Sequence, residues 1–372
     1  MKTLKIILFF LINLFAMQSC MNDDSMLKTI NLNNRYKNGV FIINEGNFMS
    51  GNASLSFYDF EKKQIFNDIF FNTNSLPLGD VAQSMIIRDS TGYIVVNNSG
   101  KIYIINTNTF KYLGKITGLI SPRYIHFISD EKAYITDLYA KEITIFNPKT
   151  LQKIGKINVN NNNPDYYQHS TEQLLQYKNF VFVNCHSFDN KILVIDSNTD
   201  KLIDSIEVTK QPNSMIIDKN NKLWVLSDGG FSGSPYGQVN AALTKINTTN
   251  FSLEKKLIFN DLTSFPTNLC TNKTKDTIYY LNGSYEHSIT SNSGIYIMSI
   301  NEEKISENPF IDSENKLFYG LTVNPINSNI YVSDAIDYNQ NGQIYFYSPQ
   351  GRQIENVKVG IIPGSFCFKF NK

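Results

Sequence analysis

The chain has 372 residues, 13% of them aromatic, with 21 Tyr and 26 Phe against a single Trp. Its net charge is +1 and its Lys and Arg are scattered singly, which excludes the basic stripe of a nucleic-acid groove. Stretches rich in helix formers are rare, and past the N-terminus no apolar run is long enough to span a membrane.

The first predicted element is a targeting signal over residues 1–20. Lys2 and Lys5 give a basic start, and residues 6–17 form an apolar run, interrupted by Asn13, that is too short to span a bilayer. It ends in Met17-Gln18-Ser19-Cys20, which is similar to a bacterial lipoprotein cleavage box, although Gln18 departs from the usual residue at its place. Cys20 is therefore the expected lipidated first residue of the mature protein. Met21-Asn22-Asp23-Asp24 follows, either a solvated linker or an acidic export tag for the outer face of an outer membrane. Residues 21–38 read as a flexible tether.

From residue 39 to the end, period-two alternation dominates. One unit recurs seven times: an apolar strand, an Asn or Asp, a loop, a second strand and a third. The pivots are Asn44, Asn97, Asp137, Asn184, Asp228, Asn282 and Asp334. The third copy gives four predicted strands at 124–129, 133–136, 142–146 and 152–157. The first copy begins at its second strand, 40–43, and lacks a first one. Residues 364–370 supply a spare with the right alternation. Four-stranded sheets set radially make a β-propeller, and a donated last strand removes the exposed edge. The expectation is an all-β, seven-bladed β-propeller over residues 39–372, its first blade completed by the C-terminal strand. An open solenoid would not explain one missing strand and one spare.

Long insertions fall in the loops between second and third strands and between blades, which share one face. The other face is expected to carry only short turns. The long-loop face comprises 45–53, 76–83, Arg123 and Tyr124, 160–169, 186–189, 229–240, 285–293 and 335–341. Long loops without secondary structure mark binding sites. The candidate ligand-binding residues are Glu45, Asn47, Phe48, Gln83 and Asn98, then Arg123, Tyr124 and Tyr139. Tyr167, His186 and Phe188 follow, then Phe231, Tyr236, Tyr285 and His287, and last Tyr319, Asp334 and Tyr338. Aromatic walls with amide and hydroxyl edges suit a large, neutral, polar ligand. The pivots themselves read as turn formers that index the blades.

Catalytic and metal signals are weak. Cys185, Cys270 and Cys367 lack CxxC spacing and read as small buried hydrophobes, not a zinc site. Of four His, His126 reads as a satisfied core group, and His169, His186 and His287 fall on different blades. Residues 337–344 match the first half of a calcium loop, but Ser348 stands where the bidentate acid belongs, so a polar turn is expected. The chain is not expected to be an enzyme.

The phrases FIINEGNFMSGNASLSFYD, LGDVAQSMIIRDSTGYIVVNNSGKIYIIN and ITGLISPRYIHFISDEKAYITDLYA resemble a family of surface lipoproteins with a YncE-like seven-bladed propeller. Its BtuG-type members bind cobalamin. The resemblance runs from residue 39 to the C-terminus and is densest over 40–158. It implies capture of cobalamin (vitamin B12) or a related corrinoid as cargo, with no catalytic cofactor. It also implies handover to a BtuB-type TonB-dependent outer-membrane transporter by a protein anchored to the outer membrane through lipid and facing the exterior. No cobalt bond from His186 or His287 is expected. Two other readings remain open: a surface protein for another bulky nutrient or a protein partner, and a propeller hydrolase or lactonase with acids or histidines converging on the central channel.

Overall fold

A computed structural model describes residues 36–163, 169–283 and 292–371. The expected lipidation site Cys20 and most of the expected tether lie outside the described residues, as do Tyr167, Tyr285 and His287. The described chain is already packed at Tyr36, which is 2% exposed and stacks on Phe110 at 4.5 Å.

Seven four-stranded antiparallel sheets form a β-propeller. In six of them the strand nearest the axis comes first in the chain, and the seven inner strands neighbour one another around a ring. They are Pro363–Lys369, Ala82–Arg88, Pro122–Phe127, Thr171–Tyr177, Pro212–Ile217, Thr267–Thr271 and Phe318–Val323. The third blade runs Pro122–Phe127, Ala133–Asp137, Glu142–Phe146 and Lys153–Asn158, within two residues of the expected strands.

The first blade takes its inner strand from the C-terminus. Pro363–Lys369 pairs antiparallel with Gly39–Asn44, from Gly39 opposite Lys369 to Asn44 opposite Pro363. Without it, the Gly39–Asn44 edge would present unpaired backbone groups at the ring axis. The seam also closes through side chains. Tyr58 packs on Phe346 at 4.8 Å, and Tyr331 on Phe368 at 5.5 Å.

The core lies between blades, not within them. Trp224, Leu226 and Leu243 of the fifth blade pack with Ile278, Tyr280 and Tyr296 of the sixth. The third and fourth blades share a cluster that includes Tyr134, Ile143, Val181 and Leu193. One blade alone would leave both apolar faces in water, so the ring is the stable unit.

Two features depart from the sequence expectation. A one-and-a-half-turn helix, α1 (Ile69–Asn74), follows the first blade and buries Ile69 and Phe70. The short-turn face also carries one long connection, residues 300–310, between Gly294–Ser299 and Ile311–Asp312. That step from third to fourth strand fell in a polar stretch whose closing strand is only two residues long, too short to show alternation.

Candidate functional site

The pivots stitch the ring. The Asn97 amide donates to Ser121 Oγ at 2.6 Å and to the Pro122 carbonyl at 3.3 Å, at the start of the next blade. Asn184 reaches the Pro212 carbonyl at 2.6 Å in the same way. Where the pivot is Asp, its carboxylate gathers backbone N–H groups instead. Asp137 accepts from Ile120, Ser121, Tyr139 and Ala140 at 2.9–3.0 Å. Asp334 accepts from Leu317 and Ile336 and is only 5% exposed, so this candidate residue belongs to the scaffold.

Every inner strand carries one register shift near its start, where it enters the ring from the long-loop face. A bulge adds one residue, bends the strand and re-aims side chains. The residues at this place are Gln83, Arg123, Glu172, Asn213, Asn268, Tyr319 and Gly364. Three strands are entered through a left-handed residue: Val81 (φ 54°), Gln211 (φ 53°) and Ile362 (φ 52°). For Val and Ile this conformation costs on the order of 1–3 kcal/mol. Hydrogen bonds hold it: Asn97 N–H donates to the Val81 carbonyl at 2.8 Å, and Glu45 N–H to the Ile362 carbonyl at 2.8 Å.

A cavity of about 420 Å³ opens here and extends between the sixth and seventh blades. Glu45, Gln83, Tyr124, Gln173, Asn268 and Tyr319 line its axial end. The Tyr319 hydroxyl donates to Glu45 Oε2 at 3.1 Å. Tyr124 hydrogen-bonds the side chains of Gln83 and Gln173. Burial pushes the Glu45 carboxyl up to about 7, against weaker lowering from Tyr319 and Arg123.

Charge is paired around this end. Arg123 Nε donates to Glu172 Oε2 at 2.8 Å, with both side chains largely buried. His186 Nε2 sits 3.2 Å from Asp228 Oδ2. Burial alone would lower the His186 pKa, but Asp228 and Glu172 outweigh it and raise it. The Asn213 amide also reaches Asp228, at 3.3 Å. The expected neutral wall is thus backed by three carboxylates, an Arg and a His.

Outside the channel lies an apolar rim. Phe48, Met49, Ile120 and Tyr139 are 60–80% exposed on the long-loop face. Phe188 and Tyr236 pack together at 4.6 Å, and Tyr319 meets Tyr338 edge-on at 5.7 Å. Phe231 is half-buried in the same loop as Tyr236. Asn47 donates to the Tyr338 carbonyl at 2.6 Å, and Asn98 pairs with Asp80, so both brace loops. The 337–342 segment is a polar turn. Its Asp337 carboxylate accepts from the Asn339 and Gln340 backbones.

Sequence reasoning missed Glu172, Gln173, Asn213 and Asn268, and read Asp228 only as a turn-forming pivot. A signal existed: aligning the seven inner strands on their second residue gives a polar side chain at every place but Gly364. It also separated His169 from His186, which both belong to the fourth blade. His126 does sit within a strand, 2.8 Å from Gln176 Oε1. His169 Nδ1 lies 2.6 Å from Asp189 Oδ2, and Cys185 lies beside them.

A family model described as "Domain of unknown function (DUF5074)" matches residues 38–368. No curated protein matches the chain by sequence. Among solved structures, a quinonprotein alcohol dehydrogenase-like protein from Bacteroides thetaiotaomicron is similar with a TM-score of 0.69 at 19% identity, over 91% of this chain and 80% of its own. A functionally unknown protein from Desulfotomaculum acetoxidans gives a TM-score of 0.62 at 12% identity, over 90% and 100%. A protein of unknown function from Bacteroides caccae gives 0.51 at 11%, over 90% and 99%. At these identities the likeness is one of fold.

Proposed function

Since the chain belongs to the DUF5074 family, whose description assigns no activity, its function has to be argued from the site, and we propose that it captures cobalamin or a related corrinoid on the long-loop face. The observation that carries this reading is the exposed apolar rim of Phe48, Met49, Ile120 and Tyr139 beside a polar channel mouth. A corrinoid is broad and fringed with amides. Its ring lies against the rim, while one amide arm enters the cavity, where Gln83, Gln173 and Asn268 offer donors and acceptors. The rigid ring holds these loops ready, which limits the ordering cost of binding.

In this reading the ligand is cargo and is not changed covalently. Cys20 carries lipid, and the protein sits at the outer face of an outer membrane. It passes the ligand to a BtuB-type TonB-dependent transporter. No helix among the described residues is long and apolar enough to cross a membrane. Titrating the purified protein with cyanocobalamin, read by calorimetry and by the corrin absorbance, tests the reading.

A second reading, hydrolysis, is favoured by one observation: Glu45, Glu172 and Asp228 converge with Arg123 and His186 at the channel. Turnover of simple lactones or esters that is lost in Glu172→Gln would support it. Absence of turnover alongside corrinoid binding removes it.

A further inference from the structure

We propose that His169, Cys185 and Asp189 form a binding site for a divalent transition-metal ion of the zinc class. Their donor atoms lie within 4.8 Å of one another, behind the channel wall in the fourth blade. The Asp189 side chain is 5% exposed, that of His169 16%, and Cys185 is fully buried. Thiolate, imidazole and carboxylate are a donor set suited to zinc, with a fourth position left for water or another oxygen.

The backbone fixes all three donors. Cys185 ends Phe180–Cys185 and stands opposite Thr171. His169 N–H donates to the Val159 carbonyl at 2.9 Å, and Asp189 N–H to the His186 carbonyl at 3.1 Å. The Asp189 carbonyl in turn accepts from Gln211 at 2.8 Å. The main chain of each donor residue is therefore held before any ion arrives. Zinc–ligand bonds of about 2.0–2.3 Å require donor separations of roughly 3–4 Å, so side-chain rotations suffice.

A buried His–Asp hydrogen bond with an inert Cys beside it would explain these three residues by themselves. It leaves one oxygen of Glu172 unexplained, since Arg123 holds the other, Oε2. Glu172 is 5% exposed, next to Thr171, and its Oε1 has no hydrogen-bond partner among the described residues. A divalent cation would offset the Asp189 charge and displace the thiol proton to solvent, leaving a bound thiolate. That unpartnered oxygen is costly to bury, and it belongs to the residue after Thr171, which stands opposite Cys185.

The ion would also pin residues 186–189 from behind. That loop carries His186 and Phe188 to the channel mouth, so metal and ligand binding would be linked without shared contacts.

The test strips the protein with EDTA and titrates it with Co²⁺ alone, then Zn²⁺ alone. The expected result is one Co²⁺ per chain, a sulfur-to-cobalt charge-transfer band, displacement by Zn²⁺ and a melting temperature raised by about 5 °C. The band disappears in Cys185→Ser, and affinity falls at least about tenfold in Asp189→Asn. If Cys185→Ser does not fold, His169→Gln, at the most exposed of the three side chains, is read instead by its Co²⁺ affinity, which should fall at least about tenfold. No uptake at micromolar metal, or a band that survives Cys185→Ser, overturns the proposal.

Discussion

The Tyr319 hydroxyl donates to Glu45 Oε2 at 3.1 Å and so joins the seventh blade to the first at the channel mouth. Burial holds the Glu45 proton up to about pH 7, against an ordinary value of 4.5. The folded chain therefore binds this proton more tightly than the unfolded chain does. The resulting stability is fully present below about pH 4.5 and is lost as pH rises through about 7. The loss is roughly 1–3 kcal/mol, reduced by water in the open channel. Urea unfolding across this window, followed by the fluorescence of the buried single Trp224, should show the decline in the wild type. Glu45→Gln, which keeps an acceptor for Tyr319, should flatten it.

Gly364 faces the same carboxylate. A Cβ built there would lie 2.0 Å from Glu45 Oε1 and 2.8 Å from its Cδ. Gly364→Ala should swing Glu45 away from Tyr319, at a cost of about 1–3 kcal/mol. Its pH–stability profile should resemble that of Glu45→Gln. A profile that keeps the wild-type slope would show that Glu45 had stayed in place.

Ring closure depends on Lys369. Its ammonium is buried and donates to the Tyr36 carbonyl at 2.6 Å, the Lys37 carbonyl at 2.8 Å and Asn371 Oδ1 at 2.8 Å. Lys369→Met keeps most of the stem but strands two carbonyls. The expected loss is about 2–4 kcal/mol in urea unfolding at pH 7. A change within about 0.5 kcal/mol would show that the clamp contributes little.

The rim predicts a separation of binding from stability. Phe48 and Tyr139 are 68% and 60% exposed, so replacing either with Ala should leave the melting temperature nearly unchanged. Corrinoid affinity should fall by about 5- to 30-fold for each. Calorimetric titration of each variant beside its melting curve decides this. Loss of fold would instead place these residues in the core.

The seven pivots and the spare strand at 364–370 made the ring legible before any coordinates, because alternation and chain order are local properties. The channel was not legible in the same way. Glu172 and Arg123 are far apart in sequence, and they meet only because inner strands of adjacent blades lie side by side. The bulges hide the set further. One extra residue breaks the period-two rule at the position that turns a side chain to the axis. Cys185 looked like a plain core residue because its neighbours His169 and Asp189 lie on a different strand entry and in a loop.

The most direct measurement is calorimetric titration of the wild-type protein with cyanocobalamin, beside the Phe48→Ala variant as control. Capture on the long-loop face predicts one ligand per chain at micromolar concentration or below, with weaker binding in the variant. No heat and no change in corrin absorbance at micromolar ligand would contradict it.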